Sequence, residues 1–389
     1  ILIAFSNNYR EKWMVTFESL GVKKVVNAAG NNSRLGSSNL SPEVCLAMNE
    51  AAKAYVNMNE LQSRCGEYIA DITTAEAGLI TSGAAGGLLL AASACVTGNN
   101  KALILDMPKP AIGKEIIVQK GHRTPYDQAI TISGVNLVEV GIPFQTYIEQ
   151  IENAINKNTV AILYTFGETV NRSGEVPLKN VIELSKKYKI PIIVDGSLIN
   201  YPFSRLVDCI KMGVDLLVTS GGKHIFGPSS TGFICGKKEL VEACQLQAFP
   251  NYGIGRIMKV GKEEIIGFIT ALEIYLKRDL QKEHKEWENK IDYLVLNLNK
   301  LPHLTATKTG YYEVDRPVPR VQLLINEKRI QHNAYEIVAM LKESNPPIWV
   351  QEFSLHNNII LLNPVCLGDG DEKKIVKGFE NLWDLWGLI

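Results

Sequence analysis

The chain has 389 residues, and at roughly 150 residues per domain that length suits two or three compact units rather than one. Hydrophobic residues make up 46% and charged residues 21%, a soluble globular balance that argues against disordered, collagen-like and coiled-coil readings. Lys plus Arg number 41 and Asp plus Glu 41, so the net charge of zero gives no electrostatic case for nucleic acid or an anionic membrane.

The opening ILIAF turns polar at Ser6, too short for a signal-peptide core, and the absence of an initiator Met suggests a start inside a longer chain. Short β-branched runs then alternate with amphipathic stretches: AGLIT (77–81), EIIVQ (115–119), NLVEV (136–140), VAILYT (160–165), IIVD (192–195) and LLVTS (216–220). Helices are expected over 144–155, 178–188 and 203–212, so the first two-thirds predicts βαβ units on a parallel α/β sheet. The small apolar run Gly83 to Gly98 falls short of the ~20 residues of a membrane span and reads as a buried helix. From Lys262 to about Asn299, helical spacing of Ile265, Phe268, Ile269, Leu272, Tyr275 and Leu276 predicts one long connecting helix. Beyond it, strands at 304–308, 320–325, 348–352 and 358–362 with helices at 333–343 and 371–385 predict a small α+β domain. The expected division is an N-terminal segment 1–60, a large α/β domain 61–262, a connecting helix 263–300 and a small domain 301–389. The seven cysteines are scattered and form no CxxC pair, which disfavours disulfides and zinc and points to a reducing, cytoplasmic setting.

Three groups of residues carry chemistry. Thr81-Ser82-Gly83-Ala84-Ala85-Gly86-Gly87 lies between a strand and a helix, where small residues let backbone N–H groups approach an anion; a tight turn needing small residues is the plainer alternative. Asp195 ends a parallel strand and can hold a cation such as a protonated ring nitrogen, or else cap the next helix. Lys223 follows a buried strand through Ser220-Gly221-Gly222, where a partly desolvated amine can attack an aldehyde; Leu217 and His224 exclude a Walker A loop. Anion cradle, strand-end acid and lysine are together the three things pyridoxal phosphate needs.

The segments VVNAAGNNSRLGSSNLSPEV (25–44), ELQSRCGEYIADITTAEAGLITSGAA (60–85), EIIVQKGHRTPYD (115–127), IPIIVDG (190–196), DLLVTSGGKHIFGPSSTG (215–232) and GIGRIMKVGKEEI (253–265) resemble the selenocysteine-synthase-like family of pyridoxal-phosphate enzymes. That family includes bacterial seryl-tRNA selenium transferase and the shorter D-glucosaminate-6-phosphate ammonia-lyase type. The resemblance implies an aspartate-aminotransferase-like α/β fold (fold type I), with a mostly parallel seven-stranded sheet in the large domain. It implies that Lys223 is the Schiff-base lysine, that Asp195 partners the pyridine nitrogen, and that Ser82, Gly83 and Ala84, with Ser220, bind the cofactor. His122 is implied to stack on the cofactor ring, although it could instead cap a helix begun at Pro125. Arg256 and Lys259 correspond to a cofactor-phosphate contact across a subunit interface, which implies a homo-oligomer, dimer or higher, with its active site at that interface. Arg34, Arg123 and Arg320 are the candidates for binding an acidic substrate. After the aspartate, Gly196-Ser197-Leu198-Ile199-Asn200 departs from the small-plus-acidic pattern of the lyase type, which leaves the substrate open.

The expected function is α,β-elimination with ammonia release from a small hydroxylated amino acid or phosphorylated amino-sugar acid. The alternatives are L-seryl-tRNA selenium transfer, racemisation or transamination, and a non-catalytic scaffold, which would have no need of Asp195, Lys223 and the SGAA loop together. A small-molecule substrate, no metal, no membrane and no tRNA are expected. The tRNA-acting members carry a substantial region ahead of the NAAG-like segment, and here about two dozen residues precede it.

Overall fold

In chain order the strands are β1 (Val26–Ala28), β2 (Ala77–Thr81), β3 (Glu115–Gln119), β4 (Asn136–Val140), β5 (Thr159–Thr165), β6 (Ile192–Asp195), β7 (Leu216–Ser220), β8 (Gly232–Gly236), β9 (Leu304–Thr309), β10 (Arg320–Ile325), β11 (Ile348–Val350) and β12 (Ile359–Leu362). The principal helices are α1 (Pro42–Ala52), α2 (Met58–Thr73), α3 (Gly83–Thr97), α4 (Leu178–Tyr188), α5 (Ser204–Met212), α6 (Lys238–Gln247), α7 (Lys262–Leu276), α8 (Leu280–Leu298), α9 (Ala334–Glu343) and α10 (Asp371–Leu385). The computed structural model describes residues 15–166, 174–310 and 318–389, so ILIAF lies outside the described residues. These pack into two units, a larger one within 31–280 and a smaller one joining residues up to Gly30 to Gln281–Gly310 and Val318–Ile389.

The larger unit is built on a seven-stranded sheet of order β2-β8-β7-β6-β5-β3-β4. Its β3, β4, β5, β6 and β7 are parallel, while β8 runs antiparallel to both neighbours. The apolar runs are continuous rather than alternating because both faces are covered: Ile116, Val118, Ile193, Leu216, Val218 and Ile234 are buried in one core, and Ile117, Ile192, Val194, Leu217 and Phe233 are buried on the opposite face. Against this core packs α3, buried along nearly its whole length, as its Gly- and Ala-rich composition requires. Sequence reading does not find β8, whose five residues GFICG begin and end in glycine and carry turn signals. β2 is an edge strand, and its exposed ladder is closed by a side chain. Buried Gln62 on α2 donates from Nε2 to the Ile80 carbonyl (3.2 Å) and accepts the Ile80 N–H at Oε1 (3.3 Å), imitating a neighbouring strand.

The helix expected over 263–300 is two helices, α7 and α8, interrupted at Lys277–Asp279. At the break the Arg278 guanidinium lies over the rings of Tyr275 (4.3 Å) and Phe226 (5.3 Å) and donates to the His224 carbonyl. The local apolar pattern gives no sign of these contacts.

In the smaller unit an antiparallel sheet of order β12-β10-β9 stands beside the parallel pair β1-β11, which ties the N-terminal residues into this unit. Its core gathers Leu323, Ile360, Phe379 and Trp383, all fully buried. Among the described residues no helix is long and apolar enough to cross a membrane.

Candidate active site

Strand register brings the predicted residues to one edge of the large sheet. Thr81 at the end of β2 pairs with Gly232 at the start of β8, and Gly232 pairs with Ser220 at the end of β7. One strand further, Asp195 pairs with Val218 on one side and with Thr165 on the other. Strand spacing is roughly 5 Å, so the turn after β2, the turn after β7 and the end of β6 face one crevice at the carboxyl ends of the parallel strands.

The turn after β2 is shaped for an anion. Gly83 takes φ +66°, a left-handed conformation that costs other residues about 1–2 kcal/mol. A Cβ built there would meet nothing within 4 Å, so the backbone faces open space. Ser82 is the N-cap residue of α3, yet its side chain makes no capping bond, and the Thr81 hydroxyl donates instead to the Gly83 carbonyl (2.8 Å). The first-turn N–H groups of α3 have no partner inside the helix and carry its positive end toward that space.

Asp195 is nearly buried and does not cap a helix, because α5 begins only at Ser204. Oδ1 accepts the Ser197 N–H at 3.0 Å, and Oδ2 has no hydrogen-bond or ion-pair partner among the described residues. An open acceptor on a largely buried carboxylate is a place where a ligand can supply the donor. Lys223, half-buried, sits in the turn from β7 to β8. The glycine before Gly222 is sterically required: a Cβ on Gly221 would lie 2.4 Å from Thr231 Oγ1 and 2.8 Å from the Phe268 ring. The SGGK run is thus a packed turn after β7, the strand that pairs with β6.

His122 is completely buried and does not cap the turn at Pro125; Thr124 does, in a capping box with Asp127. Its Nδ1 accepts the Thr165 N–H (3.3 Å), its Nε2 is 2.8 Å from Glu175 Oε2, and its ring meets Tyr164 edge-on at 4.5 Å. Sequence reading singles out neither Glu175 nor Tyr164. An acid before Val176-Pro177 and a tyrosine inside a strand carry no local signal, and only the fold brings them to the histidine.

Of the three candidate substrate arginines, Arg34 is exposed on a short 3-10 turn begun by Asn32. Arg123 is ion-paired to Asp127 and Glu139, with Asp127 foremost in holding its guanidinium charged, so a substrate carboxylate would have to displace these acids. Arg320 lies on β10 of the smaller unit, almost fully buried, and donates to Gln351 Oε1 (3.2 Å) and to the Val318 carbonyl (3.0 Å). The 249–260 segment packs on the anion turn of its own chain, where Phe249 and Met258 line one small cavity with Gln62 and Ser82. Arg256 covers the Phe249 ring at 4.9 Å, and exposed Lys259 lies 6.0 Å from the same ring. Burial pushes the Cys95 and Cys235 thiols up to about 12, which makes them poor nucleophiles, and no metal-binding cluster occurs among the described residues.

The sequence profile of the L-seryl-tRNA selenium transferase family matches residues 25–296, which include the anion turn, Asp195 and Lys223. The chain belongs to this family. Within and around the family, it is 32% identical to a 5'-C-glycyluridine monooxygenase-decarboxylase of Streptomyces sp, over 94% of this chain and 91% of that protein. It is 29% identical to D-glucosaminate-6-phosphate ammonia lyase of Salmonella typhimurium, over 92% of this chain and 95% of that protein. A solved D-glucosaminate-6-phosphate ammonia-lyase structure superposes with a TM-score of 0.84 at 28% identity, covering 96% of this chain and 100% of that one. An aspartate aminotransferase from Thermotoga maritima, at 15% identity and TM-score 0.53 over 95% and 94% of the two chains, shares the fold. The family member described here is therefore an α/β enzyme of the aspartate-aminotransferase-like fold.

Proposed function

We propose that this selenium-transferase-family chain is a pyridoxal-phosphate-dependent lyase that removes the α-proton and β-hydroxyl of a small amino acid or phosphorylated amino-sugar acid. The observation that carries the reading is the common edge: anion turn, Asp195 and Lys223 lie on neighbouring strand ends of one sheet. The residues fit the cofactor. The open backbone at Gly83 and the Ser82 side chain, which makes no capping bond, suit its phosphate, Asp195 Oδ2 would accept a donor such as a pyridinium N–H, and Lys223 would take its aldehyde. Bound there, the cofactor would supply an electron sink for the carbanion left at Cα.

The chain's own residues do the rest. Asp195 holds the pyridinium proton, and the α3 N-terminus neutralises phosphate charge. The Lys223 amine would take the Cα proton as general base. Loss of the β-hydroxyl as water leaves an enamine, whose hydrolysis returns that water and yields a keto acid and ammonia with no external oxidant. Ser220, at the end of β7, is assigned to cofactor binding, and His122 to orienting the ring. Arg34 is the most accessible nominee for a substrate carboxylate. The reading includes a cytoplasmic homo-oligomer, dimer or larger, in which Arg256 and Lys259 reach a neighbouring cofactor phosphate.

Borohydride reduction of the protein loaded with pyridoxal phosphate, followed by peptide mapping, should place the label on Lys223, and Lys223→Ala should take none. Label on another lysine overturns the assignment. The 32% identity to a monooxygenase-decarboxylase favours a second reading, loss of the α-carboxylate. Screening hydroxylated amino acids and phosphorylated amino-sugar acids separates the two: keto acid with ammonia supports elimination, whereas release of carbon dioxide replaces it.

A further inference from the structure

Glu175 sits where a built hydrogen-bond network meets the candidate site. The buried Gln119 amide, at the end of β3, accepts the Val176 N–H (2.8 Å) and donates to the Val176 carbonyl (3.2 Å), which fixes the backbone beside Glu175. The carboxylate is held at both oxygens: Tyr164 Oη donates to Oε1 at 3.2 Å, and Oε2 is 2.8 Å from His122 Nε2. The proton's place on that ring follows from its other nitrogen. His122 Nδ1 faces the Thr165 N–H, a group that only donates, so Nδ1 accepts and Nε2 carries the hydrogen that goes to Glu175. Protonating Nδ1 would set two N–H groups against each other around a ring with no solvent exposure. The Glu175 side chain is 31% exposed, so its charge stays partly hydrated while its two acceptors remain fixed.

We propose that Glu175 is a positioning residue that locks His122 in one orientation and in its Nε2–H form at the cofactor-binding edge of the sheet. It touches the histidine rather than the reacting atoms. Its meaning for catalysis rests on the pyridoxal-phosphate reading, but its hold on His122 does not.

The test compares Glu175→Ala, which removes both acceptors, with Glu175→Gln, which keeps an acceptor for Nε2–H and a partner for Tyr164. Histidine-selective ¹⁵N NMR of the cofactor-free chain, with His122 assigned by His122→Gln, should show Nδ1 unprotonated and a low-field Nε2–H proton. Glu175→Ala should lose that low-field position and Glu175→Gln should keep it; an unchanged signal in Glu175→Ala overturns the proposal. With pyridoxal phosphate as probe, Glu175→Ala should bind about tenfold more weakly, as expected for a lost charged hydrogen bond. It should also lose most of its visible circular dichroism per bound cofactor, and Glu175→Gln should restore both. Binding and dichroism as poor in Glu175→Gln as in Glu175→Ala would mean that the negative charge, and not the hydrogen-bond geometry, is what the site uses, and would also overturn it. If wild-type protein takes up no pyridoxal phosphate, the functional reading fails and the NMR comparison alone decides the role of Glu175.

Discussion

At Asp195 one carboxylate oxygen is taken by the Ser197 N–H and the other is left without a partner among the described residues, and that asymmetry makes its role testable. Asp195→Asn keeps an oxygen for Ser197, so the turn survives and the protein should still load cofactor. A neutral amide holds a pyridinium proton less well. Loss of a charge-assisted bond of ~1.5–3 kcal/mol predicts a rate about 10- to 150-fold lower if the bond acts wholly in the transition state. Wild-type turnover in that variant, measured by ammonia release, would reduce Asp195 to a turn former. The same scale shows why some residues could be read in the sequence and others could not. Lys223 and Asp195 stand at strand ends that the apolar runs already mark. The position of Arg123 is equally visible, but its ion pairs with Asp127 and Glu139 depend on distances that no spacing rule contains.

Among the elements, the edge strand β2 leads straight into the anion turn, and its outer ladder depends on one side chain of α2. Gln62→Leu is close in size and apolar, but it leaves the Ile80 N–H and carbonyl unpaired in a buried position. At about 1–3 kcal/mol for each unsatisfied group, the variant should lose about 2–6 kcal/mol of stability, read as a lower urea midpoint. Because Thr81 and Ser82 follow Ile80 directly, cofactor retention should fall with it. An unchanged midpoint would mean that water or a neighbouring segment closes the edge in place of Gln62. The elements that sequence reading misses share one cause. β8 is short and bounded by glycine, and the break between α7 and α8 falls where Arg278 reaches Tyr275, Phe226 and His224. In both, tertiary partners override the local signal.

For the whole molecule, a balance of 41 basic and 41 acidic side chains bears on the choice between a free substrate and an aminoacylated tRNA. Affinity for nucleic acid comes largely from cations that displace condensed counterions, and a chain without net charge has little such drive. Filter binding of seryl-tRNA over a salt series should therefore show weak binding with no saturation at physiological salt. Saturable binding there, together with conversion of serine to selenocysteine, would transfer the lyase proposal to the family's tRNA-acting chemistry.

Composition and apolar patterning determined, without any structure, that this is an α/β protein with strands at 77–81, 115–119, 136–140, 192–195 and 216–220; those inside the sheet are buried on both faces, while the edge strand 136–140 leaves Asn136 and Glu139 exposed. Those signals are local: each depends on a few consecutive side chains and on how a strand or helix presents them. The same local signals marked the SGAA turn, Asp195 and Lys223 as candidates. Strand order and register brought them to one edge, inserted β8 between β2 and β7, buried Arg320, and brought Glu175 and Tyr164 to His122. These are contacts between residues distant in sequence or facing one another only in the folded chain, set by how whole elements pack, and only the tertiary structure decides them.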